Sequence, residues 1–155
     1  MRERTNLPSR QRGNAVVELA LVIFVLLMLL AGMVEVGRAF AYYEALTKAT
    51  RDGARSMSVA DKATISSSAV ATAKAMVNQA AQDSNVPNFS TSLVTVTCLK
   101  ANYVADTCTD GTAPVGVTVA INNYDLVVGG WIPFLIGPAS RHWNFAPSTT
   151  MRYMK

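Results

Sequence analysis

The chain opens with a short polar tip and changes character at Ala15: from there to Val34, twenty residues carry a single charge, Glu18. At 1.5 Å rise per residue such a run spans about 30 Å, one bilayer core. Beyond it, apolar or small positions recur every three or four residues through Val36, Phe40, Tyr43, Leu46, Thr47, Thr50, Ala54 and Met57, the spacing of a helix with one face to bury. The pattern predicts one helix from about Asn14 to Ser58, with 15–34 spanning the membrane and 35–58 packing on a head domain that occupies 59–155. Gly53 interrupts the second half at a helix cost of about 1 kcal/mol, which predicts close approach by another element in preference to an early helix end. A second helix is expected from Asp61 to Gln82, with Ile65, Ala69, Thr72, Met76 and Ala80 along its stripe. Asn85-Val86-Pro87-Asn88 breaks it, and the period falls to two. Leu93 to Cys98 alternates, and so does Val115 to Ile121, which places Val115, Val117, Val119 and Ile121 on one face. A last strand from about His142 to Tyr153 aligns Trp143, Phe145, Thr149, Met151 and Tyr153, with Pro147 marking an edge or a bulge. Helices first and strands after predict an α+β fold, a small antiparallel sheet held against the emergent helix.

Composition supports the membrane assignment. Of 155 residues, 50% are hydrophobic and only 15% charged, and the mean hydropathy is +0.23, too apolar for a disordered chain and unusual for an ordinary soluble domain. The net charge of +4 owes most of its excess to Arg2, Arg4, Arg10 and Arg12 at the tip, beside the single acid Glu3. Without that tip the excess is +1, which excludes the basic face that nucleic-acid binding needs. Because acids and bases are mixed after the apolar run, the positive-inside rule leaves Met1 in the cytoplasm and sends the remainder across. Cys98 and Cys108, with no histidine cluster nearby, suit a structural disulfide better than a zinc site, two buried reduced thiols being the alternative. A bridge over so short a loop is worth about 2 to 3 kcal/mol in the chain-entropy model. A secretory signal cut after Ala41 is the competing explanation of the apolar run. Its length, and Glu35 and Arg38 between its end and that site, argue against it.

Glu18 is out of place, since a bare carboxylate in hydrocarbon costs about 3 kcal/mol on insertion scales. An acid at headgroup level, on the first turn of a helix, is the simple account. Its surroundings suggest more: Arg10-Gln11-Arg12-Gly13, then Asn14-Ala15-Val16-Val17-Glu18-Leu19, then the apolar run. This resembles the leader of a type IV prepilin, and the resemblance implies that 1–13 is a basic leader cut off between Gly13 and Asn14. Farther on, Gly32-Met33-Val34-Glu35-Val36-Gly37-Arg38 and Ala49-Thr50-Arg51-Asp52-Gly53-Ala54-Arg55 resemble the TadE-like family of the tight-adherence (Tad, Flp-type) pilus system. The family box thus comprises Gly32, Glu35, Gly37, Arg38, Arg51, Asp52, Gly53, Ala54 and Arg55. The resemblance is good over residues 10 to 58. Major pilins of that system have tyrosine after the glutamate, whereas Leu19 stands here, which favours a minor pilin or pseudopilin. The resemblance implies as partners the membrane, a prepilin peptidase, a companion pseudopilin, the major pilin and the Tad secretion machinery. It places the chain in the inner membrane with the head periplasmic, or in the extracellular pilus after assembly.

From Val127 to Pro138 the sequence again lacks charge, but it is too short and too broken by proline to cross a bilayer. A loop folded onto the core is one account; a contact patch through Trp131, Phe134 and Leu135 is the other. Catalytic chemistry finds no support. His142 is the only histidine, Gly129-Gly130 lacks the lysine of a phosphate loop, Ser66-Ser67-Ser68 has no base in sight, and Asp106 and Asp110 are thin grounds for calcium. No enzyme, cofactor, metal or small-molecule substrate is expected. The sequence therefore favours a minor pilin-like subunit for assembly or initiation of an adherence pilus. The alternative is an uncleaved single-span anchor presenting a periplasmic binding module.

Overall fold

A computed structural model describes residues 10–128 and 141–155, with side chains from Gly13 onward. Helix α1, Arg10–Ser58, runs without a break from the end of the polar tip through the apolar run and into the head. After a 3-10 turn (Lys62–Thr64) and a π turn (Ile65–Ala69) comes helix α2, Val70–Asp83. Strands β1 (Val94–Leu99), β2 (Ala105–Asp106), β3 (Gly116–Ile121), β4 (Tyr124–Val128), β5 (Arg141–Phe145) and β6 (Ser148–Arg152) complete it. They form two antiparallel sheets, one of order β2-β1-β3-β6 and a β4-β5 hairpin. The architecture is the α+β fold the sequence predicts.

The core lies between the second half of α1, α2 and the larger sheet. Leu46, Ala49, Ala54 and Met57 of α1 meet Ala73, Val77 and Ala81 of α2 and Val117, Val119 and Ile121 of β3, all of them buried. The period-two face of β3 is as expected, with Val115 half-buried at its start. Gly53 is a close-approach point: a Cβ there would lie 3.0 Å from Val77 Cγ2 and 3.5 Å from Val119 Cγ1. A polar contact also ties helix to sheet, the Thr50 and Thr149 hydroxyls 3.1 Å apart. α2 ends where asparagine is tolerated in the left-handed region: Asn85 has φ 52°, and the Val86 N–H donates back to Ala81 O.

Three expectations need correction. The second helix is α-helical only from Val70, and its buried stripe is Ile65, Ala73, Val77 and Ala81, while Thr72 and Met76 face out. The irregular entry turns the register: the Asp61 carboxylate accepts from Ala63 N, and the Asp110 carboxylate accepts from Ser66 N at 2.6 Å and Ser67 N at 3.2 Å. The last strand is two strands in different sheets, β5 on β4 and β6 on β3. Pro147 marks the break, and its carbonyl accepts from Ile121 N. On α1, Val36, Phe40 and Tyr43 are exposed, and Glu35 and Ala39 are the buried positions instead. The predicted stripe holds only from Leu46 onward. Strand β4 is an addition to the predicted elements, although Tyr124, Leu126 and Val128 alternate; it takes in Val127 and Val128 at the start of the uncharged segment.

Candidate functional site

The candidate site is α1 itself, because its first half has no surface to pack against among the described residues. None of the most apolar window of this helix is buried in the fold, and the helix is long and apolar enough to cross a membrane. Gly13, Asn14 and Glu18 all lie on this helix and are exposed. The Glu18 carboxylate therefore sits on a surface formed by Val16, Val17, Leu19, Leu21 and Val22, each exposed. An acid so placed is well solvated in water and costly in lipid, so the environment of this face decides its energetics.

The glycine-acid-glycine-arginine step follows where the helix leaves the apolar run. Gly32 and Gly37 have open space around the place a Cβ would take. Between them Glu35 is only 6% exposed, and Arg38 Nη2 donates to its Oε1 at 2.9 Å. The guanidinium of Arg38 lies 6.0 Å from the centre of the Tyr42 ring. The pair thus neutralises a buried acid where the apolar run meets the packed part of the helix, a place where an unpaired carboxylate would be penalised.

The second part of the family box divides by face. Gly53 and Ala54 point into the core, and Arg51, Asp52 and Arg55 point to solvent. Arg51 borders a shallow recess with Tyr43, Glu44, Thr47 and Lys48. The small residues of the box therefore set helix packing, and the charged ones decorate the opposite face.

Away from α1, Cys98 and Cys108 form a disulfide with Cα atoms 5.0 Å apart. It closes a loop over an apolar cavity of about 240 Å³ bordered by Leu99, Ala101, Pro114 and Val115. The acids flanking Cys108 act within the fold. Asp106 pairs with Lys100 at 2.8 Å, a hydrogen bond that holds its carboxyl below the usual range. Asp110 is likewise lowered, chiefly by the Ser66 N–H. Among the described residues no group of three or more potential metal ligands comes together. His142 Nδ1 lies 2.6 Å from Asp125 Oδ2 across the hairpin. An aromatic contact the sequence did not reveal joins α1 to that hairpin, Tyr43 meeting Phe145 edge-on at 5.4 Å and Phe145 meeting Tyr124 at 6.4 Å. Its only sequence signal is the alternation around Tyr124. Trp131, Phe134 and Leu135 lie outside the described residues.

No curated protein and no solved structure matches the chain. A family described as TadE-like protein does match, over residues 13–55. The match starts on Gly13 and ends on Arg55, so it takes in the exposed face around Glu18, the junction at Glu35 and Arg38 and the box around Gly53. The matched residues lie on the helix that is long and apolar enough to cross a bilayer. Helix α1 is thus a TadE-like segment, and the chain fits a TadE-like protein of Tad pilus systems.

Proposed function

We propose that the chain is a minor pilin-like subunit that helps to assemble or initiate a Tad (Flp-type) type IV pilus involved in surface adherence. The observation that carries this is the continuity of α1, which presents Glu18 on an unburied apolar face at one end and forms the core of the head at the other. In this reading a prepilin peptidase of the inner membrane cuts between Gly13 and Asn14. The new α-amino group on Asn14 is cationic and lies about one helical turn from Glu18. When a neighbouring subunit offers its own terminus, the Glu18 carboxylate gains a partner in a low-dielectric setting; out of register it stays bare and costly. Glu18 thereby acts as a register key. The amino end starts in the cytoplasm, the head is periplasmic, and assembly carries both into the fibre with the companion pseudopilin, the major pilin and the Tad secretion machinery. The role is structural rather than catalytic.

Glu18→Ala separates this from an uncleaved anchor. Membrane insertion should be maintained or improved, since the change removes an acid from the apolar run, while piliation and surface adherence are lost. Normal piliation by Glu18→Ala would overturn the register role.

A further inference from the structure

The stretch 107–115, which joins β2 to β3, has little packing to hold it. None of its residues is buried, and only Cys108, Pro114 and Val115 are half-buried. Its residues border the cavity of about 240 Å³ in place of a packed core, and β2, which leads into it, meets β1 over two residue pairs, Cys98 with Asp106 and Leu99 with Ala105. Yet this stretch supplies the acceptor at the entry to α2. Asp110 Oδ1 accepts from the Ser66 N–H at 2.6 Å and from the Ser67 N–H at 3.2 Å, and the Gly111 N–H donates to Lys62 O at 2.8 Å. Ile65, the first residue of the π turn, is fully buried, so the turn is held by the core on one side and by the loop on the other.

An exposed hydrogen bond competes with water and gains little on its own. It persists when its partners are kept close, at high effective concentration. The bond between Cys98 and Cys108 does this here. Cys98 is 5% exposed and belongs to the core, while Cys108 stands two positions before Asp110. A covalent link from the core therefore ends beside the carboxylate that caps the π turn.

We propose that the disulfide is a redox-gated clamp on α2: oxidised, it holds Asp110 on the Ser66 and Ser67 N–H groups, and reduced, it frees the loop and loosens the entry to the helix while the core stays folded. Cys108 is the sulfur that a thiol reaches, because it is half-buried in an exposed loop and Cys98 is buried. A thiolate of a dithiol reductant attacks Cys108 Sγ, and the S–S bond breaks with its electron pair leaving on Cys98 Sγ, which takes a proton. The second thiolate of the reductant then displaces Cys108, which also takes a proton, and the reductant departs as its own disulfide. The clamp thus follows the compartment, open where thiols are kept reduced and shut where they pair. Neither cleavage nor assembly enters this coupling.

The test uses the full chain in detergent micelles, with and without dithiothreitol, and reads the amide signals and their exchange with water by NMR. On reduction the Ser66 and Ser67 amides should exchange about fivefold faster or more, as expected of a local opening, while the Val77 and Val119 signals keep their positions. In Asp110→Asn these two amides should already exchange fast, and reduction should add less than about twofold, the non-additivity of coupled groups. Unchanged exchange at Ser66 and Ser67 on reduction would overturn the proposal, and so would an equal acceleration in parent and Asp110→Asn. Loss of the Val77 and Val119 signals on reduction would also overturn it, by making the bond a staple of the whole head. Alkylation of the single-thiol variants checks the point of entry: Cys108 in Cys98→Ser should react about tenfold faster or more than Cys98 in Cys108→Ser, and the reverse order would refute that assignment.

Discussion

Gly53 shows how much one missing methyl group decides. Alanine there would gain about 1 kcal/mol of helix propensity, but its Cβ would stand 3.0 Å from Val77 Cγ2, and a β-branched side chain on a helix has little freedom to turn away. Overpacking of this kind costs about 1 to 3 kcal/mol, so Gly53→Ala should be mildly destabilising and Gly53→Val severely so. Gly37→Ala, with open space around it, should be neutral or stabilising; chemical denaturation in detergent compares the three. Gly53 was legible because a glycine inside a strong helical pattern demands a reason. Tyr124 was not, since its partner is distant in sequence: its buried hydroxyl donates to Pro87 O at 2.7 Å. Burial first, then Tyr42 and Asp125, push this phenol from 10.0 up to about 12. The neutral hydroxyl thus contributes stability that is fully present below pH 10 and is lost as the pH rises from 10 to about 12. Tyr124→Phe should cost about 1 kcal/mol at neutral pH by stranding the Pro87 carbonyl. It should also flatten the alkaline limb of a thermal-melting profile.

The elements that could be predicted are those whose periodicity arises from one flat surface. β3 faces the helices along its whole length, so its alternation reads directly. α2 reads less well because its phase is set from outside, by Asp110 gripping the Ser66 and Ser67 N–H groups across the fold. Asp110 titrates below its ordinary 3.8. Its contribution should therefore be present above that pH and disappear as pH falls through the lowered value. The gap in melting temperature between the parent chain and Asp110→Asn should be open at neutral pH and close in acid. The disulfide holds the same corner, since the Gly111 N–H donates to Lys62 O beside it. Replacing both cysteines by serine should cost about 2 to 3 kcal/mol in the chain-entropy model, measurable as a shift in denaturation midpoint. The division of the last strand was hidden for another reason: residues of two sheets can share one alternating pattern, and Pro147 alone does not say whether it bends a strand or ends it.

At the scale of the whole molecule, two halves of one helix live under opposite rules. In the head, α1 buries Leu46, Ala49, Ala54 and Met57 against α2 and the sheet, so its pattern can be read from composition and spacing. Toward the amino end the same helix exposes its large apolar side chains from Val16 to Leu30 except the half-buried Met28, and none of its most apolar window is buried in the fold. Such a surface is stable only in lipid or against other apolar helices. In the proposed reading, the exposed position of Glu18 within it is what makes processing matter, because cleavage after Gly13 would supply a cationic terminus about one helical turn away. The junction at Glu35 and Arg38 then joins the two regimes through a neutralised pair. The most direct measurement is the intact mass and amino-terminal sequence of the protein recovered from its native membranes. A mature chain that begins at Asn14 is the expected result and carries the free amino group the register role requires. A chain that still begins at Met1 would contradict processing and leave an anchored head in its place, and one that begins at Tyr42 would show the apolar run to be a removed signal.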